Sequence, residues 1–83
     1  MRRDENWAID IARIHAFFRE QPDVQEKPDY FLFGKCIITL IPHSAPAMGK
    51  WEIPRTQVII EGVDDDVQII HRRFFLRFLS AGG

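Results

Sequence analysis

Nucleophilic chemistry in this sequence would fall to Cys36, with His15, His43 or His71 as the activating base. Cys36 lies in the run Tyr30–Ile41, which is aromatic or β-branched almost throughout. A thiol in such a run is expected to be a small, inert core residue, because burial disfavours the reactive thiolate. His43-Ser44 follows Pro42 in a stretch rich in proline and small residues, and it lacks the flanking glycines of a nucleophile elbow. The histidines occupy three separate segments with no His-x-x-x-His pair, so no zinc spacing arises. Asp64-Asp65-Asp66 lacks the alternating acids and the glycine of a calcium loop. Neither Gly34-Lys35 nor Gly49-Lys50 has the preceding glycine and following hydroxyl of a phosphate loop. The expectation is no catalytic residue, no metal and no cofactor.

Two surfaces remain as candidates for binding. The segment Pro42–Lys50 reads as a loop and leads into Trp51. Its His43, Ser44 and Met48, with Trp51, are adaptable contact residues. They could line a ligand pocket or small active site near residues 42–51, or meet a partner. Arg72, Arg73 and Arg77, flanked by His71 and phenylalanines, form the one basic and aromatic cluster, a pattern that can bind single-stranded nucleic acid. Three nearby aspartates and a net charge of -1 for the whole chain argue against that use.

The elements that would position these residues follow from apolar spacing. Trp7, Ile11, Ile14 and Phe18 recur at helical intervals, so the spacing predicts an N-terminal helix capped by Asp4 and stopped by Pro22. Gln21–Asp29 reads as a polar connector. Tyr30–Ile41 reads as one buried strand ended by Pro42, or as two short strands hinged at Gly34. Trp51–Ile53 looks extended, and Thr56–Glu61 reads as a further strand that begins at an edge or bulge because of Pro54. Val67–Leu79 fits a helix or the return arm of a hairpin. The acids at its start and arginines at its end favour the helix, since they complement the helix dipole.

The fold class expected is α+β: a small antiparallel sheet of two to three strands with an N-terminal and a C-terminal helix packed on it. The 83 residues suffice for a single domain spanning 1–83. Hydrophobic residues at 46% and charged residues at 28% are the proportions of a soluble globular domain. The lone cysteine excludes an intrachain disulfide, and no apolar run approaches a membrane span. A cytoplasmic location is the resulting default.

A two-layer fold buries one stripe per helix, and these helices carry more than that. Ile9 and Phe17 project from the first stripe, and Ile69, Leu76 and Leu79 from the second. The five are expected to remain partly in water and to drive association. The functional expectation is therefore a non-enzymatic interaction domain that forms a homodimer or binds a protein partner.

Overall fold

The computed structural model describes residues 1–46 and 52–79; the side chains of 44–46 and 52 lie outside that description. The chain runs β1 (Arg2–Trp7), α1 (Ile11–Glu20), β2 (Val24–Glu26), β3 (Phe31–Phe33), β4 (Cys36–Pro46), β5 (Glu52–Gly62) and α2 (Asp64–Phe78). The strands form one five-stranded sheet in the order β1-β5-β4-β3-β2, and every neighbouring pair is antiparallel. This corrects the expectation of two to three strands, because both additional strands are polar segments.

The first addition is β1, where Arg2–Trp7 pairs with β5 from Arg2↔Glu61 to Trp7↔Thr56. Arg3, Glu5 and Trp7 alternate inward while Arg2, Asp4 and Asn6 face out, the period-two pattern of a half-buried strand. Its charges suit an outer strand, whose free edge must not recruit other chains. The helix accordingly starts later than its apolar spacing suggests. Asp10, not Asp4, is the N-cap, and its carboxylate accepts a 2.8 Å hydrogen bond from the Ala12 amide.

The second addition is β2, a three-residue strand within the stretch read as a connector. It turns into β3 through a 2.8 Å hydrogen bond from the Lys27 amide to the Tyr30 carbonyl. The run Tyr30–Ile41 takes the two-strand alternative. Gly34 provides the hinge at φ 57°, a left-handed conformation that favours glycine.

Pro42 does not end β4, which continues through Pro46 and pairs Pro42 with Thr56. Beyond Ile38, β3 no longer pairs with β4, so among the described residues that edge is open and loses no ladder bond to a proline. Pro54 likewise sits in β5 before Thr56, where pairing with β1 begins. His43 and Ser44 are thus on a β-ribbon projecting past the sheet, not in the loop expected for them.

Both helices cover one face of the sheet. The core between the layers comprises Ile9, Ile14, Phe17 and Phe18 at α1, Val67, Ile70, Phe74 and Phe78 of α2, and Phe31, Phe33, Cys36, Ile38, Val58 and Ile60 from the strands. Phe18 stacks on Phe74 at 5.9 Å between ring centroids, and Trp7 meets Phe74 edge-on at 5.0 Å. Thr56 is the one buried polar residue among those described, and its hydroxyl donates to the Ile9 carbonyl at 2.7 Å. α2 is a helix, as the order of its charges indicated.

Candidate interaction surface

The cysteine and the histidines do not converge. Cys36 is fully buried, and burial, with Asp66 nearby, pushes its thiol up from 9.0 to about 11. A thiol held in its neutral form is a poor nucleophile. His71 donates to Glu5 at 3.0 Å, and the Trp7 indole N–H donates to the same carboxylate oxygen at 3.1 Å. Burial raises the Glu5 carboxyl, but these hydrogen bonds and the charges of His71 and Arg3 outweigh it and hold the group below the usual carboxylate value. The contact ties β1 to α2. His43 lies on the exposed face of the sheet, where its Nε2 donates to Gln57 at 2.9 Å and Gln57 in turn donates to Asp4 at 2.8 Å.

The side chain of Ser44 and the whole of Met48 and Trp51 lie outside the described residues, so the ligand surface expected at 42–51 is represented by His43 alone. A pocket of about 220 Å³ occurs elsewhere, between His15 and the β2–β3 turn at Lys27–Tyr30. The Nδ1 of His15 is buried there without a hydrogen-bond partner. Among the described residues, no group of three or more His, Cys, Asp or Glu side chains could hold a metal ion. Among them, too, no helix is long and apolar enough to cross a membrane.

The arginine cluster is divided by its ion pairs. Arg73 binds Asp23 at 2.8 Å and lies over the Phe33 ring; Arg77 binds Glu20 at 3.1 Å and lies over Phe17. The hydrogen bond from Arg73 lowers the Asp23 carboxyl and raises the guanidinium in turn. Arg72 stands apart on the solvent face, so the three residues do not present one basic patch.

The apolar residues expected in water separate into two sets. Ile9 and Phe17 are buried, at 1% and 3% exposure, which corrects the expectation for both. Ile9 is drawn in because it precedes α1 and its carbonyl binds Thr56, while Phe17 packs on Phe78 at 5.7 Å. Ile69, Leu76 and Leu79 remain exposed at 47%, 59% and 52%, with Phe75 beside them at 38%. Ile69 and Leu76 lie on the side of α2 opposite the buried stripe Val67, Ile70, Phe74 and Phe78, Leu79 follows as its C-cap, and Phe75 lies on the flank against Trp7.

Within the same helix, Asp64 pairs with the N-terminal ammonium at 3.1 Å and Asp66 accepts from the Lys35 amide at 2.8 Å. His71, Arg73 and Arg77 pair with Glu5, Asp23 and Glu20. Asp65 and Arg72 are the charged residues of α2 for which no such partner occurs among the described residues.

Among the described residues, the face of the sheet away from the helices also exposes Ile37, Ile41 and Ile53, at 46%, 36% and 42%. Its apolar character is broken by the His43–Gln57–Asp4 chain and by Arg2, which pairs with Glu61 at 3.0 Å. The exposed residues of α2 are legible in the sequence as a surplus of large apolar residues. The sheet face carries no such signal, because alternation along β4 and β5 is masked by apolar residues on both sides. No protein-family model, curated protein or solved structure matches this chain.

Proposed function

We propose that this chain is a non-enzymatic protein-interaction domain that self-associates as a homodimer, with the solvent face of α2 as its working surface. The observation that carries this reading is the exposure of Ile69, Leu76 and Leu79, each near half, along one side of a single helix. Removing large apolar side chains from water is the main favourable term in association, and clustered ones on a surface mark a contact site. The buried, neutral thiol of Cys36 and the scattered histidines favour binding over catalysis. A helix of 15 residues is only about 22 Å long, so the contact lies at the small end of protein interfaces and association is concentration dependent.

Sedimentation equilibrium across a concentration series tests the proposal. The expected result is a mass rising from 9.7 kDa toward twice that value. A constant 9.7 kDa up to the millimolar range would refute it.

A further inference from the structure

We infer that two copies of the chain pair through α2 in antiparallel register about Ile69, with Asp65 of each copy bound to Arg72 of the other; this rests on the self-association proposed above. The two charges are the ones on α2 left without a partner in their own subunit among the described residues, and they are of opposite sign. Asp65, Ile69, Arg72 and Leu76 follow one another at intervals of four, three and four residues, so they share the exposed side of the helix.

A two-fold dimer contact must be complementary to itself, each residue meeting its counterpart across the axis. The stripe meets that condition. Asp65 and Arg72 are about 10 Å apart along the helix. Their midpoint falls beside Ile69. Turning one copy over about that point sets each Asp65 against the other copy's Arg72, with the two Ile69 side chains in contact between the ion pairs. Leu76 lies about 11 Å from that axis, whereas the opposite helix begins at Asp64 about 7 Å from it, so Leu76 projects just beyond the start of the opposite helix. In a parallel arrangement the like charges would face each other, which would oppose association.

The test exploits the reciprocity of the two pairs. Asp65→Arg and Arg72→Asp are made separately, and their folding is checked by circular dichroism. Dimer dissociation is then measured by sedimentation at low salt for each variant alone and for an equimolar mixture. Each variant alone faces two like-charge contacts and is expected to dissociate at least about tenfold more readily than the unaltered chain. In the mixture, the Asp65→Arg copy brings two arginines to the stripe and the Arg72→Asp copy brings two aspartates, so both attractions return. Dissociation of the mixture is expected within about twofold of the unaltered chain, with the difference narrowing at high salt.

Single variants that associate as tightly as the unaltered chain, or a mixture no tighter than its components, would overturn the register. If the unaltered chain dimerises while the swaps have no effect, self-association stands and only this arrangement fails. If the unaltered chain stays monomeric, both fail.

Discussion

Asp66 in the first turn of α2 accepts a 2.8 Å hydrogen bond from the backbone amide of Lys35 in the β3–β4 turn. One carboxylate thereby satisfies a donor that the tight turn leaves without a ladder partner, and it anchors the start of the helix on the sheet. Charge-assisted bonds of this kind are stronger than neutral ones. Asp66→Ala is expected to lower stability by about 1 kcal/mol in urea unfolding. An unchanged midpoint would mean that the contact contributes nothing.

The glycines beside this contact are expected to differ in their tolerance of a side chain. At Gly62, φ is 156°, and an added Cβ would overlap the Lys35 carbonyl and lie 2.6 Å from the Cys36 Cα. Both obstacles are backbone atoms, the first in the β3–β4 turn and the second at the start of β4. At Gly34 the nearest atom is the Asp66 carboxylate at 2.8 Å, the end of a side chain that can turn aside, although the left-handed backbone itself still favours glycine. Turning that carboxylate aside gives up its bond to the Lys35 amide, so Gly62→Ala is expected to cost more than Gly34→Ala, about 3 kcal/mol against about 2. Paired denaturation curves check the ranking, and the reverse order would show that β5 adjusts more readily than this geometry allows.

The buried thiol sets a pH limit on the alkaline side. Cys36 keeps its proton in the folded chain up to about 11, whereas the unfolded thiol loses it from 9.0. Between those values the unfolded state binds fewer protons, so stability falls as pH rises. Cys36→Ala should remove that slope while lowering stability at neutral pH through the lost packing. Alkylation of the native chain at pH 8 is expected to follow unfolding rather than proceed directly; rapid labelling without unfolding would contradict the assignment.

On the acid side the sign is opposite. Burial alone would raise the Glu5 carboxyl, yet the hydrogen bonds from His71 and Trp7 hold it below its ordinary value of 4.5. Its ionised form therefore contributes stability above that pH, and the contribution is lost as pH falls through the lowered folded value. Glu5→Gln should flatten the acid limb of the stability profile. Trp7 fluorescence follows the change locally, since its indole donates to Glu5. An acid limb identical in the variant would remove Glu5 from this role.

The legible parts of the fold are those where local pattern and tertiary environment agree. Acids before arginines favour the helix over a hairpin arm at α2, Gly34 between two apolar runs marks the hinge of the two-strand alternative, and the neighbours of Cys36 place it in the core. The N-terminus shows the opposite case. Arg2–Asn6 has neither apolar alternation nor strand-forming residues, and it becomes β1 because β5 offers a long unpaired edge far along the chain. Trp7 then matches the helical spacing of Ile11, Ile14 and Phe18 by coincidence, since it reaches the same core from a strand. Pro42 was misleading because the cost of proline in a strand depends on which edge is open, a property of the neighbouring strands. Of the surface, Ile69, Leu76 and Leu79 were readable from α2 alone. Ile9 and Phe17 were not, because their burial depends on Thr56 of β5 and on Phe78 of α2.

The central claim is that copies of this chain meet through α2, and spin labelling tests it most directly. Cys36 is buried, so a label attached at Gln68→Cys, on the exposed flank of α2, reports alone. Paired helices lie about 8 to 10 Å apart, so dipolar broadening between labels is expected to grow with protein concentration. A label at Thr39→Cys, on the face of the sheet away from the helices, should show none. Broadening at residue 39 in place of residue 68, or at neither, would contradict the account.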